Sequence, residues 1–125
     1  MTYRLFEYVD ARGSEAFTAW RGGLQKAQQA HLDNKLNLLK RSGTDLSPKL
    51  VGGTKFGHIK KLKVKSNVQL RPRFCAGPIN HGSEYTFLVG AIERDWKTEP
   101  ADADDVAHDR RLEILADNRR RCSYG

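Results

Sequence analysis

Between Leu46 and Ser83 the chain carries eight basic residues and no Asp or Glu: Lys49, Lys55, Lys60, Lys61, Lys63, Lys65, Arg71 and Arg73. Cations crowded in this way hold phosphate. The excess is local. Of the net +7, residues 1–45 contribute +2 (7 basic, 5 acidic), 46–83 contribute +8, and 84–125 contribute −3 (7 basic, 10 acidic). A surface of one sign attracts polyanions, and a basic stripe is the electrostatic footprint of nucleic-acid binding. The plainer reading of the same run is a solvated, charged strand pair with no partner.

Where those cations point depends on the strands that carry them. Residues 59–65 alternate, with Leu62 and Val64 on one face and Lys61, Lys63 and Lys65 on the other. Residues 69–75 alternate too: Leu70, Pro72 and Phe74 stand opposite Gln69, Arg71 and Arg73. Directly paired residues share a face of a sheet. A two-residue turn at Ser66-Asn67 would pair Lys63 with Leu70 and drive charge into the core. A three-residue loop, Ser66-Asn67-Val68, pairs Val64 with Leu70 and Lys63 with Arg71. A slip of one residue would flip every side chain, so the odd loop is expected. Pro72 cannot donate to a ladder and belongs at an edge or a bulge.

The remaining elements must position this hairpin. Residues 2–9 are rich in β-formers and predict a strand. Ser14 is placed to cap a helix that buries Phe17, Trp20, Leu24 and Ala27, with Leu32, Leu36 and Leu39 continuing the stripe. Gly22-Gly23 predicts a break, and Lys40-Arg41-Ser42-Gly43 an end. Tyr85–Ile92 is an almost unbroken apolar run, as in a strand covered on both faces. The acids at 102–105 suit a helix start. That helix, with Val106, Arg110, Leu112, Ile114 and Leu115, is expected to run to Arg119-Arg120-Arg121, read as cations of a last turn.

A chain of 125 residues is sized for one domain, 1–125, with a core of its own. No apolar run approaches the ~20 residues that span a bilayer, and the N-terminus lacks a signal-peptide core, so a cytoplasmic protein with no membrane partner is expected. Cys75 and Cys122 are expected to be reduced and independent, with Cys75 in the core. His31, His58, His81 and His108 are scattered, and no pair has ligand spacing, so no metal is expected.

The order strand, two helices, three strands, helix resembles the RelE/ParE superfamily of bacterial toxins, most of all its HigB-type and phage-derived addiction-module killer members. The resemblance covers residues 3–110. It rests on Phe17-Thr-Ala-Trp20 with Leu24, on Lys61-Leu-Lys63-Val64 after a Gly-rich approach, on Leu70-Arg71-Pro-Arg73-Phe74, and on Phe87-Leu-Val-Gly90-Ala-Ile-Glu-Arg94 followed by Pro100. It implies an α+β fold in which two N-terminal helices pack on a small, mostly antiparallel, four-stranded twisted sheet, with a C-terminal helix. It implies a ribosome-dependent mRNA endoribonuclease that needs no metal or cofactor and works by attack of a ribose 2′-hydroxyl on the adjacent phosphate. By position, Lys61, Lys63, Arg71 and Arg94 become the catalytic set. Lys60, Lys65, Arg73 and Trp96 become RNA contacts, Trp96 as the ring on which a base stacks. The implied partners are mRNA on the ribosome and a cognate antitoxin with an acidic segment. Leu70 stands where the family has an aromatic before its arginine, and Phe74 where it has a tyrosine further along the strand. A ParE-like gyrase poison and a nonenzymatic nucleic-acid-binding or phage accessory protein of the same fold remain as alternatives.

Overall fold

In a computed structural model, which describes residues 2–46 and 49–125, the chain is α+β. Its elements run β1 (Arg4–Tyr8), α1 (Ala16–Gly22), α2 (Lys26–Ser42), β2 (Val51–Gly53), β3 (Lys60–Leu62), β4 (Val64–Lys65), β5 (Gln69–Leu70), β6 (Arg73–Ala76), β7 (Glu84–Val89), β8 (Ile92–Arg94), β9 (Lys97–Glu99), α3 (Ala103–Ala116) and β10 (Arg121–Ser123). A 3₁₀ turn, Gly43–Leu46, follows α2.

The strands form two sheets rather than the single four-stranded one expected. One has six strands in the order β10-β1-β7-β6-β3-β2, and the other four in the order β4-β5-β8-β9. In the larger sheet β1 runs parallel to β7, and its other neighbours are antiparallel. The expected long strands are each divided. Val64 pairs with Leu70 and Lys65 with Gln69, while Lys61 pairs with Arg73 and Lys60 with Phe74. The register of the three-residue loop therefore holds across both sheets. Pro72 lies between β5 and β6, where the ladder passes from one sheet to the other. Its carbonyl accepts from the Leu62 N–H at 3.0 Å, and the next step of β6 is irregular.

The helices divide between the two faces of the sheet. Phe17 on α1 and Leu32, Leu36 and Leu39 on α2 bury against Leu5, Leu62, Val64, Leu70, Phe74 and Phe87. Phe17 stacks on Phe87 at 4.4 Å and on Trp20 at 5.6 Å. On the other face, Ala103, Ala107 and Ile114 of α3 meet Tyr8, Cys75, Leu88 and Val89. All six residues of β7 are buried, as its apolar run implied. Leu112 and Leu115, expected in the α3 contact, are half-exposed; small alanines carry the packing instead. Glu15, not Ser14, flanks the start of α1, and no side chain caps it. No helix among the described residues is long and apolar enough to cross a membrane.

Gly90 ends β7 directly beneath the Trp20 indole. A Cβ there would overlap the ring. Overpacking of this kind costs roughly 3 kcal/mol. Gly90→Ala is therefore expected to lower the unfolding free energy by about that amount in urea titration, and Trp20→Ala in the same background to recover part of it.

Candidate nucleic-acid interface

The hairpin turn between β4 and β5 is tied to the start of α2. Gln25 accepts from Asn67 Nδ2 at 3.1 Å, and Gln28 Nε2 donates to Asn67 Oδ1 at 2.7 Å. Gln28 also accepts from the Gln25 N–H at 2.9 Å, which closes the helix N-terminus. One turn further along, His31 Nδ1 lies 2.9 Å from the Ser66 hydroxyl. These contacts hold β4 beside α2 and leave a groove of about 880 Å³ between them.

The groove is basic along its length. From α2 come His31, Asn34, Lys35, Leu38 and Arg41; from the loop after it, Lys49; from the hairpin, Lys63, Lys65 and Arg71. No carboxylate is among the lining residues. Three of the predicted residues, Lys63, Lys65 and Arg71, thus meet in one place. The Arg71 guanidinium is half-buried. It donates to the Leu70 carbonyl at 3.0 Å, the Val64 carbonyl at 3.4 Å and Gln69 Oε1 at 3.1 Å, all neutral acceptors. Burial pulls it below the usual arginine value, and Arg73 adds to this, while Glu93 works the other way.

Lys61 is not among the residues that line the groove. A Cβ at Gly52 would stand 2.9 Å from Cε of Lys63 and 3.0 Å from Cε of Lys61, so both side chains cross the same bare backbone. Glycine at 52 is what lets two lysines lie there.

Besides Lys61, four predicted residues are not in the groove. Arg73 is only 4% exposed. Its Nε donates to Asp104 Oδ1 on α3 at 2.6 Å, and Nη1 donates to the Arg71 carbonyl at 2.6 Å. It is a structural cation rather than a rim contact. Lys60 is exposed, but it borders a different cavity. Arg94 shares its face with Ile92 and Leu70 by the β5–β8 register, opposite to Arg71 and Gln69. Trp96 is 96% exposed at the tip of the β8–β9 hairpin, in a two-residue turn with positive φ at both Asp95 and Trp96. That conformation is costly for a bulky residue. It presents the ring to solvent beside the Arg94–Lys97 pair, away from the groove lining.

Lys35, Arg41 and His31 were missed in the sequence because a polar helix stripe looks like a solvated face. Their spacing with Asn34 and Leu38 was the available signal. The Arg119–Arg121 run does not end α3: Arg119 pairs with Asp117, and Arg121 in β10 pairs with buried Glu84. Glu7, Glu15 and Cys122 come within 4.8 Å of one another. Burial and the Glu15 carboxylate push the Cys122 thiol up to about 11, and both Glu7 oxygens are taken by Thr18. These groups are poor cation ligands as they stand. Burial pushes the Cys75 thiol up to about 12, which suits a core residue.

Burial works to raise the Asp104 carboxyl, but hydrogen bonds from Arg73 and the Lys55 N–H, with the charges of Arg73 and Lys61, hold it below the usual value. A depressed carboxyl stabilises the fold above its unfolded pKa, about 3.9, and that contribution is lost as pH falls through the folded value. Arg73→Gln is expected to cost about 3 kcal/mol at neutral pH, since it leaves a partly buried carboxylate unpaired. The variant should also lose less stability than the parent on acidification below about pH 4. Urea titrations at neutral and acid pH check both.

No family model, no curated protein and no solved structure matches this chain.

Proposed function

We propose that the groove between α2 and β4 holds the phosphate backbone of RNA and that the protein cleaves mRNA on the ribosome, in the manner of a RelE/ParE-type toxin. The observation that carries this reading is a groove lined by Lys35, Arg41, Lys49, Lys63, Lys65 and Arg71 with no carboxylate among its lining residues. Phosphate contacts dominate affinity for nucleic acid, and each ordered cation adds to them.

The chemistry this set supports is in-line transesterification. The 2′-oxygen attacks the adjacent phosphorus, the bond to the 5′-oxygen breaks, and a 2′,3′-cyclic phosphate and a 5′-hydroxyl result. A base takes the 2′ proton and an acid gives one to the leaving oxygen. Lys63, which lines the groove and shares the space over Gly52 with Lys61, is the proposed base. His31, oriented by Ser66, is the proposed acid. Arg71 is held by neutral acceptors, which leaves its charge for the phosphorane-like transition state. An acidic antitoxin segment would compete for the same cations.

Lys63→Gln is expected to lower ribosomal mRNA cleavage about 10²-fold with little change in melting temperature. Gly52→Val, which displaces both lysines, should act in the same direction. Lys49→Gln should weaken RNA binding and reduce the salt slope by about 0.7, the value for one single-strand phosphate contact. Cleavage should persist with a chelator present. Cleavage that survives both Lys63→Gln and Arg71→Gln overturns the site. On expression in cells, translation should fall before DNA replication; the reverse order would install the gyrase-poison reading instead.

A further inference from the structure

A second cavity, of about 540 Å³, opens where β2, β3 and β6 meet the loops at 57–58 and 81–82. It shares no lining residue with the groove. One side is aromatic. Tyr85 lies 5.0 Å from Tyr3 and 5.6 Å edge-on from Phe74, and its hydroxyl is fixed by the Thr44 N–H at 3.2 Å. The other side is basic: Lys60, His58, His81 and Arg111 all line it, and no carboxylate does among the described residues. Asp45 is the acid whose charge reaches Tyr85, where it adds to burial in raising the phenol. Arg111 Nε is buried and has no hydrogen-bond partner. This Nε is shielded from solvent, so an anion in the cavity would meet the part of Arg111 that lines it.

The geometry points to a site for a phosphorylated nucleotide, with the base against the partly exposed Tyr3 ring and the phosphate toward Arg111 and Lys60. The size lies within the range of small-ligand pockets. A flat ring suits tyrosine faces, and a guanidinium with an ammonium suits a phosphate. The same chemistry is offered by a free mononucleotide and by the end nucleotide of an RNA chain. The site stands independently of the groove.

Calorimetric titration of the whole protein tests it. Uridine and adenosine 5′-monophosphate are expected to bind saturably. Uridine and inorganic phosphate alone should bind at least about tenfold more weakly, because each keeps half of the contacts. Lys60→Gln and Arg111→Gln should each raise the dissociation constant about tenfold, the loss of one charge-assisted hydrogen bond. Gly53 lines the cavity and has open space above it, so Gly53→Leu should fill the site and abolish binding without touching a charge. Lys63→Gln, in the groove, should leave binding unchanged. A 5′-phosphorylated trinucleotide that binds more tightly than the mononucleotide identifies a chain end as the ligand; the reverse identifies the free nucleotide. No saturable binding of either, or binding indifferent to Gly53→Leu, overturns the proposal. So does a loss with Lys63→Gln as large as with Lys60→Gln. None of these outcomes bears on cleavage at the groove, which is read by the Lys63 and Arg71 variants on ribosomes.

Discussion

The turn Ser66-Asn67-Val68 fixes more of this molecule than any other contact. Its odd length sets the register that pairs Val64 with Leu70 and Lys61 with Arg73. In that register Leu62, Val64, Leu70 and Phe74 all enter the core beneath α1 and α2. One residue fewer would exchange them for lysines and arginines. Asn67 then does a second thing: it ties the turn to Gln25 and Gln28, at the first turn of α2. The basic groove lies between the helix and the hairpin along the flank that faces solvent, above the core they share.

The opposite face is governed by α3. Its first turn carries Asp104 and Asp105, which take Arg73 and Lys55 as partners. The acid-free run of the sequence is therefore split by the fold. Arg73 and Lys55 are neutralised by α3, Lys60 borders the aromatic cavity, and Lys49, Lys63, Lys65 and Arg71 face the groove. A helix N-terminus favours acids in any case, so placing α3 over Arg73 satisfies the helix dipole and the buried guanidinium together. Among the described residues Arg73 forms its ion pair with Asp104.

What could be read from the chain was what neighbouring residues decide. Alternation gave the hairpin and its loop length, Gly22-Gly23 gave the break between α1 and α2, and the apolar run gave a strand covered on both sides. Long-range pairing was not legible. Nothing local says that β1 lies parallel to β7, or that β10 returns to pair with β1. Residues 92–99 form a hairpin around Asp95-Trp96, which lacks the Gly or Asn that usually marks such a turn. Arg94 was consequently placed by sequence resemblance alone, and the β8 register turns it to the other face. Arg73 had the right alternation but the wrong environment, because its partner stands 31 positions away. The groove cations on α2 were invisible for the converse reason: only the tertiary fold brings them opposite the hairpin.

The groups that hold the fold and the groups that line the groove are almost separate sets. The aromatic stack of Phe17, Trp20 and Phe87, the α3 alanines and the Arg121–Glu84 pair lie outside the groove. Lys61 and Lys63, which share the space over Gly52, are like charges that repel one another. Besides His31, which also ties the helix to the turn, Arg71 belongs to both sets. Its guanidinium spans the β4–β5 ladder by bonding the Val64 and Leu70 carbonyls, so the hairpin itself aims it. A charge held by neutral acceptors keeps most of its field for whatever enters the groove. The same hydrogen bonds spare it the entropy of being ordered by a ligand. The proposed phosphate site rests on that combination, a cation fixed by the hairpin among the lysines of the groove.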